Sequence, residues 1–276
     1  MENKIVIVIV LYNEQPPQYI YSSKSGVEII LVDNTPDREL YIETPNITYI
    51  PLHRNYGIAK ALNVGFYHAK ELNAEWVLTM DQDSILPDNL LSDFRKYLPT
   101  LSNAAVLVPQ LNMYEGEEKR ATDSYRELTE ALTSGSLIRM EAFNQANGFK
   151  EELFIDGVDF EFCKHVRLLG WHVYQINSVV MQHHLGRTQE VKFFGRHLFY
   201  VTHHNYIRHY YMQRNSMYVA SLYLGLLPEV KSICRIPVKS LFKILFFEKD
   251  KIKKLIFRYR GYLDFKNKKF GEYKKK

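Results

Sequence analysis

Cysteine is nearly absent: Cys163 and Cys234 are the only two in 276 residues. That excludes a disulfide framework and a cysteine-rich zinc site. Cys163 sits in the apolar stretch FEFCKH and is expected to pack as a small hydrophobe. Long apolar runs are missing as well. The best candidate, MYVASLYLGLL at 217–227, falls far short of the roughly 20 residues that a membrane span requires. No basic-then-apolar leader opens the chain, and MENKIVIVIV runs straight into a strand-like segment, so a cytoplasmic location is expected. There is no internal repeat, and no low-complexity linker before the C-terminal tail. With 46% hydrophobic residues the chain has enough apolar material for one large domain, or a domain with an appendage.

Negative charge is scarce at one end only. Residues 231–276 hold 16 Lys/Arg against 4 Asp/Glu, a balance of +12. With a whole-chain charge of +5, residues 1–230 therefore stand at −7. A basic nucleic-acid-binding core is excluded, and the basic excess belongs to a tail suited to an anionic surface. After Pro237, the residues Val238, Leu241, Phe242, Leu245 and Phe246 form one apolar helical face beside Lys239 and Lys243. Two readings of this tail stand: a solvated helix packed on the main domain, or an amphipathic helix lying on an anionic bilayer, peripheral to the inner face of the membrane.

The apolar pattern gives the fold class. KIVIVIVLYN carries seven consecutive apolar residues, Ile5 to Leu11, as expected of a strand buried on both faces of a parallel sheet. VEIILVDN, NITYIPL and EWVLTMDQD read as further strands, and GIAKALNVGFYHAKELN has helical spacing. Strands alternating with helices predict an α/β fold with a mostly parallel central sheet flanked by helices. A domain over 1–230 is expected, followed by a basic helical extension over 231–276. Pro87 suits the start of a helix reaching Tyr97. AAVLVPQ is another strand, and NMYEGEEKRATDSYRE reads as an exposed loop. LFIDGVDFEFCKHVRLLGW turns from strand into a helix closed by Gly170. A long aromatic helix is expected from Tyr206 to Leu227.

In such sheets ligands bind beyond the carboxyl ends of the strands. Asn13, Asp33, Asp81 and Asp83 all fall at those ends. Asp81 and Asp83 serve either as strand-end and cap residues or as ligands of a hard divalent cation, Mg²⁺ or Mn²⁺, bridging to a substrate's phosphates.

The ordered series VLYN (10–13), LVDN (31–34), RNYGIAKALNVGF (54–66), MDQDS (80–84), SGSLI (134–138), ELFIDGVDFEFCKHVRLLGW (152–171), HHLG (183–186) and HYYMQRN (209–215) resembles the family-2 glycosyltransferases of the GT-A fold. Within them it is similar to the bacterial rhamnosyltransferase-like group. RGYLDFKNKKFG at 260–271 resembles the usual family ending. The resemblance implies that Asp33 accepts a hydrogen bond from the pyrimidine N3–H, and that Tyr12, Asn13, Asn55 and Gly57 line the base and ribose. It places Asp81, with Gln82 beside it, near the ribose and the cation. Asp83 becomes the direct metal ligand, and His183 either completes the cation site or touches the phosphate, with His184 as its rival. Lys60, Arg187 and Arg214 are candidates to face the diphosphate. Leu11 departs from the small or hydroxylated residue that many relatives carry.

For catalysis, inverting transfer needs a group to take the proton from the acceptor hydroxyl. Asp156 matches the family's acidic position, and it also reads as a helix N-cap with Asp159 in the first turn. Gly157 stands where many relatives carry a second acid, which leaves Asp159 as the alternative base. The implied activity is metal-dependent transfer of a sugar from a nucleotide-sugar donor to a saccharide or lipid-linked saccharide acceptor in bacterial surface polysaccharide synthesis. The implied donor is dTDP-L-rhamnose, and a UDP-hexose would keep nearly all the motifs. Two readings of other classes remain, an aspartyl-phosphate-type phosphatase and a non-catalytic sugar- or membrane-binding relative. The first wants its acidic motif on the first strand, which here ends in LYNE.

Overall fold

The computed structural model describes residues 3–22, 26–42, 44–114, 117–183, 188–193, 196–233 and 236–274. The chain forms two compact units: Met1–Phe154 with Val158–His183, and Ile155–Gly157 with His184–Lys276. The expected division at 230/231 differs from this one. The long helix from Tyr206 packs with the tail helices, and the three residues around Asp156 join them.

The first unit is an eight-stranded sheet with helices. In chain order its elements are β1 (Ile5–Leu11), α1 (Tyr19–Ser22), β2 (Glu28–Asp33), β3 (Ile47–Pro51), α2 (Ile58–Glu71), β4 (Trp76–Asp81), α3 (Leu90–Tyr97), β5 (Ala104–Asn112), β6 (Tyr125–Leu128), β7 (Ser136–Arg139), α4 (Met140–Gln145), a 3₁₀ turn (Glu151–Leu153), α5 (Val158–Leu168) and β8 (His172–Gln182). The sheet order is β3-β2-β1-β4-β7-β5-β8-β6. β7 and β6 run antiparallel to their neighbours, and the other six strands are parallel to one another. All seven residues of β1 are buried, because helices cover both faces. Ile5, Ile7, Ile9 and Leu11 share a core with Trp76, Leu78 and Met80 of β4 and with Leu90 and Phe94 of α3. On the opposite face α2 lies over Val8 and Val32. There Phe66 stacks on Phe143, their ring centres 4.3 Å apart.

Successive strands run outward from β1 to β3, and the chain then returns to place β4 on the other side of β1. In sheets of this kind ligands bind beyond the carboxyl ends of the strands at such a reversal, here those of β1 and β4.

The second unit comprises β9 (Gln189–Phe193), β10 (Arg196–Val201), α6 (Tyr206–Tyr223), α7 (Val230–Ile233), α8 (Ile236–Phe247) and α9 (Lys251–Lys266). β9 and β10 pair as an antiparallel hairpin. α6 ends at Tyr223, where Leu224 leaves the helical region (ψ 124°). α9 crosses α6 at Gly261, where a Cβ would stand 2.5 Å from the Tyr210 carbonyl oxygen. Among the described residues no helix is long and apolar enough to cross a membrane.

Candidate active site

Parallel register sets the first distances. Leu11 of β1 lies opposite Asp33 of β2, and Val10 lies opposite Asp81 of β4. The two acids therefore flank the end of β1 across two inter-strand spacings, about 10 Å. His183 follows β8, another parallel strand, and its N–H donates to the Asn112 carbonyl at the end of β5 (3.0 Å). Burial pushes the Asp81 carboxyl above the usual carboxylate range; the nearby His183 lowers it and the like charge of Asp83 raises it further. His183 and Asp83 thus each lie within electrostatic reach of Asp81. Asp83 is exposed, while His183 Nδ1 is buried with no hydrogen-bond partner among the described residues. A crowded acid and an orphaned ring nitrogen are groups that a hard divalent cation would satisfy. Among the described residues, however, no group of three or more acids, histidines or cysteines is placed to hold a metal ion.

Gln82 has a different role from the one expected. Its Oε1 accepts from the Tyr12 N–H at 2.7 Å, and its Nε2 donates to the Tyr12 carbonyl at 3.2 Å. The side chain copies the pairing of a peptide group and ties the end of β4 to that of β1. Behind it, Ser134 Oγ accepts from the Asp81 N–H (3.2 Å) and shares a hydrogen bond with Ser84 Oγ (2.8 Å).

Asp33 is fully buried. One oxygen accepts from the Thr35 N–H (3.0 Å), the other from Arg38 Nε (2.6 Å) and the Tyr49 hydroxyl (2.8 Å). Burial alone would raise its pKa, but the hydrogen bonds from Arg38, Thr35 and Tyr49 more than reverse this and hold the carboxyl low. Burial and the bond to Asp33 push the Tyr49 phenol up to about 12. Arg38 also donates to the Glu14 carbonyl (2.8 Å), and its Nη2 is buried with no partner among the described residues.

Asn13 adopts φ 56° and donates its N–H to Thr35 Oγ1 at 2.8 Å, while Tyr12 is exposed. Asn55 Oδ1 accepts from Asn34 Nδ2 (3.0 Å) and from the Gly57 N–H (2.9 Å), and Asn34 Oδ1 accepts from the Tyr56 N–H (2.8 Å). This knot fixes the turn into α2.

Gly57 was expected to pass close to a ligand. It passes close to the protein instead: at φ 85°, ψ 163°, an added Cβ would lie 2.5 Å from the Phe154 carbonyl oxygen. The Ile58 N–H donates to that same oxygen at 2.7 Å. Lys60, expected at the diphosphate, pairs with Glu151 at 3.1 Å with both side chains half exposed.

The catalytic candidates differ in setting. Phe154 (φ 64°), Asp156 (φ 67°) and Gly157 (φ 84°) all occupy the left-handed region, so the expected strand before α5 is replaced by a contorted strap. Two residues of α6 hold it. Asn215 Nδ2 donates to the Ile155 (2.7 Å) and Asp156 (2.9 Å) carbonyls. Arg208 grips both Asp156 carboxylate oxygens, one through Nε at 2.8 Å and the other through Nη2. α5 begins at Val158, and the Asp156 carboxylate is held by Arg208. Asp159, in the first turn of α5, accepts from the Phe160 N–H at 2.9 Å.

Arg214, expected at the phosphates, is fully buried. It donates to the Gly271 carbonyl (2.6 Å) and Asn215 Oδ1 (2.9 Å), and it lies over the Tyr210 and Tyr211 rings. It closes the C-terminal segment onto α6. Arg187 and His184 lie outside the described residues. Sequence reasoning missed Arg38, Tyr49, Asn34 and Arg208. Asn34 alone left a signal, as the polar residue directly after the strand-end acid.

The large, mostly parallel sheet flanked by helices agrees with the GT-A type of α/β fold, and solved structures share it. S. aureus TarS 1-349 in complex with UDP-GlcNAc matches with a TM-score of 0.58 at 18% identity, over 95% of this chain and 80% of that one. GalNAc-T7 with UDP, GalNAc and Mn²⁺ matches with a TM-score of 0.53 at 13% identity, over 70% of this chain and only 45% of that one. The profile described as Glycosyl transferase family 2 matches residues 6–160, more than half the chain, and the chain belongs to that family. It is a glycosyltransferase. It is also 27% identical to the dTDP-rhamnosyl transferase RfbF of Shigella flexneri over 240 residues, 78% of this chain and 79% of that one.

Proposed function

We propose that the protein is an inverting glycosyltransferase that moves L-rhamnose from dTDP-L-rhamnose onto a saccharide or lipid-linked saccharide acceptor. The observation that carries the reading is the placement of Asp33 and Asp81 on either side of the β1 end, at the switch in strand order, in a chain whose curated relative is a dTDP-rhamnosyl transferase. Family membership removes the phosphatase alternative.

Asp83, Asp81 and His183 would hold Mg²⁺ or Mn²⁺, which when bound supplies positive charge to a departing diphosphate. The chain's own groups do the rest. Asp33 keeps Arg38 and Tyr49 in place around the base, and Asn13, Asn55 and Tyr12 border the nucleoside. Asp156 takes the proton of the acceptor hydroxyl as its oxygen attacks the anomeric carbon, opposite the leaving oxygen. Arg208 occupies two of the carboxylate's roughly four lone-pair directions, so it fixes the group's aim while leaving capacity for that proton. Asp159 is the second candidate base.

Thermal shift with dTDP-L-rhamnose, UDP-glucose, UDP-galactose and UDP-GlcNAc, with and without Mn²⁺, tests this reading. The largest stabilisation is expected from dTDP-L-rhamnose with Mn²⁺, and its loss in Asp83→Ala. A larger shift with a UDP-hexose reassigns the donor. No shift with any of the four, metal or not, overturns this donor assignment.

A further inference from the structure

α9 is built inside out. Its buried face carries Lys254, Phe257, Arg258 and Gly261. Its outward face carries Ile252 (76% exposed), Ile256 (46%), Tyr259 (62%) and Leu263 (37%). The four outward residues follow a spacing of four, three and four, so they form one stripe along the helix. The inward charges are satisfied within the unit. Lys254 pairs with Glu248 at 2.5 Å, which also meets His209 Nε2 at 3.2 Å. Arg258 donates to Gln213 Oε1 and Ser240 Oγ, each at 2.7 Å. Gly261 is consumed by the crossing with α6. Internal packing thus fixes which face of α9 points inward, and leaves its apolar stripe facing out.

The preceding helix repeats the pattern. Phe242, Leu245 and Phe246 of α8 are about half exposed or more, and only three residues, Glu248–Asp250, separate the two helices. Lys249, Lys251 and Lys253 crowd that connection and are exposed. Exposed apolar side chains and lysines therefore gather at one turn, inside a segment of net charge +12.

We infer that the α8–α9 turn and the outward stripe of α9 form a docking surface for an anionic lipid bilayer, with Phe246, Ile252, Ile256 and Tyr259 entering the headgroup boundary and the lysines meeting lipid phosphates. Charge selects this occupant over a second copy of the chain, because two like surfaces of such charge repel. The inference goes beyond the sugar-transfer reading and is independent of donor identity.

The test is co-sedimentation of the full chain with phosphatidylcholine vesicles, and with vesicles in which half the lipid is phosphatidylglycerol. Strong binding is expected only to the anionic vesicles, weakening as salt is raised. The triple variant Ile252→Ser, Ile256→Ser, Tyr259→Ser should bind about tenfold more weakly or worse. Lys249→Glu with Lys251→Glu should lose binding while leaving the apolar face intact. Because all five residues are exposed, both variants should keep the parent's melting temperature and nucleotide-sugar binding. Equal binding to both vesicle types, or triple-variant binding equal to the parent's, overturns the inference. So does a concentration-dependent dimer that the triple variant dissociates, since that assigns the face to a second copy. A failure of donor binding would leave the vesicle result unchanged.

Discussion

Replacing Gly57 by alanine, beside the matched control Gly157→Ala, separates backbone strain from steric collision. The two glycines have nearly the same φ, 85° and 84°. At Gly57 a new Cβ would meet the carbonyl oxygen of Phe154 at 2.5 Å and the Phe154 Cα at 2.8 Å, whereas at Gly157 no atom of the described residues lies within 4 Å. Strain from the unfavourable backbone region is about 1–3 kcal/mol and applies to both. Overpacking adds about 1–3 kcal/mol at Gly57 alone. Gly157→Ala should therefore cost about 1–3 kcal/mol and Gly57→Ala about 2–6 kcal/mol. Denaturant unfolding measures the difference, and melting temperature should follow at roughly 2–4 °C per kcal/mol. A second readout is donor binding. If Gly57 faces the strap, the stability loss appears with donor affinity kept in the fraction that remains folded. Equal destabilisation by the two variants, or a loss of donor affinity at unchanged stability, would refute the reasoning and return Gly57 to the ligand-lining role the sequence suggested.

Three further outcomes follow from contacts described above. Arg208→Lys removes the fork that grips both Asp156 oxygens; turnover should fall about 10–100-fold with the donor KM unchanged, and a change in KM alone would count against a positioning role. Glu248, held down to about 2 against an ordinary 4.5 because its bonds to His209 and Lys254 outweigh the burial that would raise it, contributes stability present above the unfolded-state value. That contribution is lost as pH falls from about 4.5 toward about 2; acid titrations of unfolding should show the slope in the parent and not in Glu248→Gln, which is already weaker at neutral pH. Gln82→Ala removes two bonds to Tyr12 and should cost about 1–2 kcal/mol in a denaturant melt, whereas an unchanged melt would mean that the glutamine is not needed to tie the strand ends.

The sheet was legible where burial is two-sided. β1, β2, β4 and β5 show as apolar runs because no face of them meets water. β6 was hidden in an expected loop. It is an edge strand with three of its four residues exposed, and its sequence YREL carries no burial signal. The strand expected before α5 gives way to left-handed backbone at Phe154 and Asp156, and the side chains that hold Ile155 and Asp156, those of Asn215 and Arg208, lie some 60 and 52 positions away. The site residues divide along the same line. Position at a strand end marked Asn13, Asp33, Asp81 and Asp83, since strand ends are a local pattern. What a side chain does there was not local. Lys60 meets Glu151, 91 positions on, and the buried Arg214 is spent on the carbonyl of Gly271, 57 positions on. A lysine or arginine in a motif shows only that a cation is needed, and the fold decides what it meets.

The glutamine between the two acids has a consequence for ligand capture. By imitating one more peptide rung, it freezes the backbone on which both carboxylates are mounted before anything arrives. Little backbone entropy is then left to lose when a ligand binds beside them.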